Sequence, residues 1–163
     1  MEKFVVREYK PSDKKAVLNL MKEFANFFVP INKFSKRSIS PRTAQYFTEK
    51  LIRAVRKKNG KIFVVDFDDQ LVGFIGFYFK KQPFEETFES IPMKIGYISE
   101  LFVSTKYRRK NIGKLLLKKA EDFFKNNDCT HARLEVFGSN IKAREFYIKN
   151  GYTDWNIEVI KAL

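Results

Sequence analysis

A chain of 163 residues with 44 % hydrophobic and 16 % aromatic side chains, 18 of them Phe, suits one domain (1–163) with its own core and argues against disorder. The single Cys129 rules out an internal disulfide and points to a reducing cytoplasm, and with His131 the single histidine no Cys/His metal site is expected. A net charge of +13 asks for an anionic partner: a phosphate-rich cofactor, an acidic substrate or, as the lesser reading, a nucleic acid. No apolar run approaches the roughly 18 residues of a membrane span, and the N-terminus carries no signal-peptide pattern, so no membrane partner is expected.

Residues 4–9 alternate as a first strand. Pro11-Ser12-Asp13 then starts a helix to about Phe28, with Val17, Leu20, Met21, Phe24 and Phe28 on its core face. Pro30 ends it, and residues 31–39 form a basic loop. Ser40-Pro41 opens a second helix, because Ser caps and Pro suits the first helical position. It runs to Lys58, with Ala44, Phe47, Leu51 and Val55 opposite Arg42, Glu49, Arg53 and Arg56. Ten basic residues against Glu49 lie within 33–61. A solvated face is the simpler reading of them, and a binding surface the alternative.

Asn59-Gly60 turns the chain into a hairpin of 61–67 and 71–80 across Asp68-Asp69-Gln70. The loop 81–94 holds Glu85, Glu86 and Glu89, an acidic cluster in a basic chain. Residues 95–103, rich in β-branched and aromatic side chains, read as the next strand. After Ser104-Thr105-Lys106-Tyr107 comes Arg108-Arg109-Lys110-Asn111-Ile112-Gly113, then a helix whose Leu116, Ala120 and Phe123 recur at helical spacing. A helix starting at Asn111 or Ile112 points unpaired N–H groups and its positive dipole end back into that turn, which makes an anion site. Gly113 lets a phosphate approach the backbone, and Asn111 tolerates left-handed geometry. Residues 104–125 carry eight Lys or Arg against Glu121 and Asp122, a charge suited to a polyanion. A strand at 131–137, a helix after Asn140 and a last strand at 156–160 complete the chain.

Two motifs in order now stand out: Arg108 to Gly113, and Asn140 followed by Ala143, Phe146, Tyr147, Gly151 and Tyr152. Together they resemble the two signatures of the GNAT superfamily of acetyl-CoA-dependent N-acetyltransferases. Asn111 stands where the family usually has Gly. The resemblance covers the chain well from Ile62 onward and its first sixty residues in outline. It implies an α/β (α+β) fold: a mixed, mostly antiparallel sheet of six to seven strands, splayed between the fourth and fifth, with about four flanking helices.

It also implies acetyl-CoA as co-substrate, a primary amine as acceptor, and direct transfer in a ternary complex. Arg108, Arg109, Lys110, Asn111, Ile112, Gly113 and Lys114 would hold the pyrophosphate. Backbone groups of Leu101 and Val103 would pair with the pantetheine arm, and Asn140 would orient it. Tyr147 matches the family tyrosine near the cofactor sulfur. An unperturbed phenol, with a pKa of about 10, is protonated at neutral pH and can act as general acid. Glu100 is the candidate general base, with a structural or substrate-positioning carboxylate as the alternative. Relatives that acetylate diamines place a carboxylate one residue earlier, where this chain has Ser99.

The acceptor stays open. Glu85, Glu86 and Glu89 suit a cationic small amine, whereas the basic 33–61 region suits an acidic protein N-terminus or an anionic metabolite. A small molecule is the expectation. A protein or peptide acetyltransferase, or a non-catalytic acyl-CoA-binding or nucleic-acid-associated domain of the same fold, is the alternative. Monomer and homodimer are both compatible.

Overall fold

The computed structural model describes residues 4–32 and 40–161. Strand β1 (Val5–Glu8) leads through a 3-10 turn (Pro11–Asp13) into helix α1 (Lys14–Phe28), and helix α2 (Pro41–Lys57) follows. Pro11 and Pro41 both sit in the first helical turn, where a missing N–H costs nothing. Strands β2 (Lys61–Phe67) and β3 (Gln70–Lys80) form the hairpin, and a one-turn helix α3 (Glu86–Glu89) lies in the following loop. Strand β4 (Ile95–Val103), a 3-10 turn (Thr105–Tyr107) and helix α4 (Ile112–Lys125) come next. Strand β5 (His131–Leu134) and helix α5 (Ile141–Lys149) follow.

The sheet order is β1-β2-β3-β4-β5, antiparallel except for the parallel pair β4–β5. That pair runs only from Ile95↔His131 to Ile98↔Leu134. Beyond Leu134 the two strands part, leaving the second half of β4 without a ladder on that side. The mixed sheet, opened between its fourth and fifth strands, agrees with expectation.

Helices α1 and α2 cover one face, where Val17, Leu20, Met21 and Leu51 meet Phe74 and Phe102 of the sheet. Helix α4 covers the other, where Leu116, Leu117 and Phe124 meet Ile75, Phe77 and Ile98. Strand β4 serves both cores by means of a bulge. Gly76 opposes Glu100 but Phe77 opposes Ile98, so Ser99 is an extra residue. In a regular strand Ile98 and Glu100 would share a face. Here Ile98 joins the α4 core, whereas Glu100 lies opposite Gly76, whose missing Cβ would come within 2.6 Å of Leu51 of α2. Tyr97, paired with Tyr78 at a ring separation of 5.4 Å, is carried to the Glu100 face.

Three expectations are corrected. Five strands are present among the described residues, not six or seven. The strand expected at 156–160 is irregular chain, with Trp155, Ile157, Val159 and Ile160 between 60 % and 88 % exposed. Strand propensity fixes no structure unless a neighbour supplies ladder hydrogen bonds, and this segment has no such ladder. Strand β5 ends at Leu134 rather than near Phe137, because the chain bends away from β4 there. The third concerns Phe47. The helical wheel placed it in the core, but it is 40 % exposed, and Thr48 is buried in its stead with its hydroxyl on the Ala44 carbonyl at 2.8 Å. Lys33, Lys36 and Arg37 of the basic loop lie outside the described residues.

Candidate functional site

The gap between β4 and β5 widens into a cleft of about 1040 Å³. Its floor is β4 from Ile98 to Val103, one end is the β4–α4 turn, and its walls come from α1, α2, α5 and the chain after β5.

At the turn the backbone does the building. Arg109 (φ 67°) and Asn111 (φ 61°) are both left-handed, and Asn111 is the N-cap of α4 with its carbonyl accepting from the Leu115 N–H at 3.1 Å. Left-handed residues at alternate positions fold successive N–H groups toward one side, a concavity that holds anions, and the first amides of α4 add to it. Arg109, Asn111, Ile112, Gly113 and Lys114 all line this end. The donor set fits a pyrophosphate. Lys110 differs: its ammonium lies 5.9 Å from the Phe4 ring and 6.0 Å from the Phe67 ring, off the cleft. A Cβ at Gly113 would meet Phe146 of α5 at 3.4 Å, an ordinary contact, which shows how closely α5 packs on the start of α4.

Arg108 organises the turn from beneath. Its Nε donates to the Val103 carbonyl at 3.0 Å, and its guanidinium stacks 4.2 Å from the centre of the Phe27 ring. Beside it Glu23 of α1 accepts from the Thr105 N–H and hydroxyl, each at 2.8 Å, and from the Ser104 hydroxyl at 3.3 Å. Burial alone would raise the Glu23 carboxyl, but these hydrogen bonds outweigh it and hold it below its usual range. Glu23 and Arg108 thus tie α1 to the turn. Leu101 and Val103 pack with the α4 core and both line the cleft, in the part of β4 that has no ladder partner on the β5 side. Asn140 is 8 % exposed and caps α5, its side-chain oxygen accepting from the Ala143 N–H at 3.4 Å.

Further along the floor stands Glu100, with Tyr147 on α5 across the opening. Burial pushes the Glu100 carboxyl up to about 7, against a smaller opposing pull from Lys50. The Tyr147 phenol is pushed up to about 12, first by burial and then by the Glu100 charge. Its ring is fixed between Phe146 at 5.3 Å and Tyr152 at 5.7 Å. An acid that keeps its proton and a carboxyl poised near neutrality therefore share one opening. That pairing suits proton transfer in both directions.

Apart from the Lys110 side chain, the sequence-predicted site residues converge on the cleft. Glu85, Glu86 and Glu89 do not: none lines it, and Glu86 is bound to Arg133 of β5 at 2.8 Å. Of the described basic residues in 40–61, Lys50 lines it. Tyr78, Tyr97, Glu135 and the Phe residues of α1 and α2 were not anticipated as site residues. Burial and then the Glu135 carboxylate raise the Tyr97 phenol well above its usual range. The available signal was the polar pair Tyr97 and Glu100 inside an otherwise apolar strand.

The family and the fold are shared with known acetyltransferases. The chain belongs to the Acetyltransferase (GNAT) family, whose model matches residues 20–152. It is 33 % identical over 93 residues to an uncharacterized N-acetyltransferase of Methanocaldococcus jannaschii, covering 56 % of this chain and 52 % of that protein. The match thus spans about half the length of the curated relative. Among solved structures it resembles an aminoglycoside N-acetyltransferase in complex with CoA (TM-score 0.74, 11 % identity, 100 % and 96 % of the two chains covered). It also resembles glucosamine-6-phosphate N-acetyltransferase from Arabidopsis thaliana (TM-score 0.66, 18 % identity, 99 % of each chain covered). Among the described residues no helix is long and apolar enough to cross a membrane, and no group of three metal-ligating side chains converges.

Proposed function

We propose that the whole chain is one acetyl-CoA-dependent N-acetyltransferase domain, working in the cytoplasm on the primary amine of a small molecule by direct transfer. The observation that carries this reading is that Glu100 of β4 and Tyr147 of α5 line one cleft, which also takes in the left-handed turn. The family membership and a CoA-bound fold neighbour support the cofactor. Acetyl-CoA supplies an activated acyl carbon and a thiolate leaving group. Arg109, Asn111, Ile112, Gly113 and Lys114 would hold its phosphates, the β4 backbone at Leu101 and Val103 its arm, and Asn140 and Arg108 the surrounding frame.

The chain's own groups then divide the proton work. Glu100 takes one proton from the incoming ammonium, leaving a neutral nitrogen that can attack. As the C–N bond forms and the C–S bond breaks, Tyr147 gives its proton to the departing sulfur. The second N–H proton lost on amide formation restores the phenol. One proton is released to solvent per turnover, so charge and atoms balance. The test is thiol release from acetyl-CoA with a panel of primary amines. Amine-dependent release is the expected result, and tight CoA binding with no amine stimulating release would sink the reading in favour of a binding domain.

A further inference from the structure

The acceptor end of the cleft differs in chemistry from the phosphate turn. Its floor carries Glu100 and Tyr97, brought to one face by the Ser99 bulge, with Tyr78 alongside on β3. Glu135, just after β5, lines the same cleft as Tyr97, Tyr78 and Ser99. Two carboxylates set among phenols, against the one ammonium of Lys50 that pulls on Glu100, suit a cationic amine better than a phosphate. Above them the wall is aromatic. Phe28 meets Phe24 edge-on at 4.6 Å and reaches Phe137 at 5.6 Å, while α2 presents Phe47, 40 % exposed. Phe137 is 49 % exposed. Such rings, left open at the edge of a core, offer apolar area to a ligand.

The Phe28–Phe137 contact also bridges the cleft from α1 to the chain after β5, and the Ser139 hydroxyl donates to the Ile31 carbonyl at 2.6 Å beside it. A roof of this kind favours a short acceptor over a polymer.

We infer, on the basis of the acetyltransferase reading above, that the acceptor is a small arylalkylamine: a primary ammonium directed at Glu100 and Glu135, with one aromatic body against Phe28, Phe47 and Phe137 and no phosphate. The ammonium is fixed by charge and phenol hydrogen bonds, the body by burial. Each part of the pocket then has a counterpart in the ligand.

The experiment compares 2-phenylethylamine, ethylamine, spermidine, glucosamine 6-phosphate and a tripeptide with a free N-terminal Phe. It reads kcat/KM by thiol release and, separately, Kd by calorimetry on the protein saturated with coenzyme A. Burial of the phenyl group predicts at least a ~10-fold preference for 2-phenylethylamine over ethylamine in both readouts. It should also exceed the other three amines. Phe28→Ala and Phe47→Ala should each reduce the phenylethylamine-to-ethylamine ratio by about five-fold; Phe47, being more exposed, keeps the test open if Phe28→Ala misfolds. A better rate or affinity with spermidine, glucosamine 6-phosphate or the tripeptide overturns the inference while leaving acetyl transfer intact, as does a ratio unmoved by both variants. Binding of CoA with no amine-dependent release overturns the parent reading and this one together.

Discussion

The two ends of the cleft are made in opposite ways. The turn proposed to hold the phosphates is a single run, Arg108 to Lys114, built from backbone N–H groups and two left-handed residues. The acceptor end is assembled from side chains of α1, α2, β3, β4, β5 and α5. A site made of backbone tolerates changes of side chain so long as its dihedral angles survive. A site made of side chains keeps its geometry under substitution and loses its chemistry. Variants at the acceptor end should therefore act on turnover or on the choice of amine, and variants at the turn on affinity for the cofactor.

The largest expected effect is Tyr147→Phe. Loss of the general acid should lower turnover by ~10²–10⁴-fold, with the calorimetric affinity for acetyl-CoA nearly unchanged. A turnover loss of only a few-fold would demote Tyr147 to packing, and a large loss of affinity would give it to the other end of the cleft.

Glu100→Gln comes second, at about 10²-fold in kcat/KM near neutral pH. The gap should narrow as pH rises, because more of the acceptor then arrives already neutral. If instead KM rises, salt sensitivity falls and kcat is kept, Glu100 only attracts the cation. The same variant has a stability signature. The folded carboxyl titrates at about 7 and the free one at 4.5, so from pH 4.5 to 7 the unfolded chain releases a proton that the fold retains. Stability falls as pH rises through that window. Since Gln never ionises, Glu100→Gln should be more stable than wild type above pH 7, by an amount on the order of a few kcal/mol. It should gain nothing below pH 4.5. Thermal melts at pH 4 and 8 decide it, and an equal Tm difference at both would remove the burial argument.

Gly113→Val addresses the turn. The Cβ itself would meet Phe146 at 3.4 Å, an ordinary contact, so it is the two further methyl groups of Val that would compete with a phosphate for the space above the helix start. Losing one backbone hydrogen bond to a charged phosphate costs about 1.5–3 kcal/mol, which corresponds to roughly ten- to hundred-fold weaker acetyl-CoA binding. Unchanged affinity in the folded variant would show that the turn does not carry the phosphates. Smallest is Arg108→Lys, which retains the charge but loses both the Nε bond to Val103 and the planar stack on Phe27. A few-fold loss of cofactor affinity with an unaltered pH profile is expected, and an effect on turnover alone would contradict a framing role.

The same contrast explains what could be read from the chain. Arg108 to Gly113 and Asn140 to Tyr152 are contiguous, so spacing alone exposes them. Phe24, Phe28 and Phe47 lie on the helical stripes that periodicity assigns to a core, and periodicity cannot tell a buried ring from one lining a cleft. Glu23 reaches Thr105 across 82 positions of sequence, with no motif to announce it. The strand expected at 156–160 had the right composition, but pairing depends on a neighbour that composition does not supply.

Ser99 contributes chain length rather than chemistry. It is the extra step that lets one strand present Ile98 to one layer and Glu100 to the other. Exchange for another small residue should leave that phase intact. Deleting it would restore strict alternation and turn either the Tyr97 half or the Glu100 half of the strand over. The face of this sheet proposed for catalysis is thus encoded as an insertion, sensitive to the loss of a single codon and largely indifferent to what that codon says.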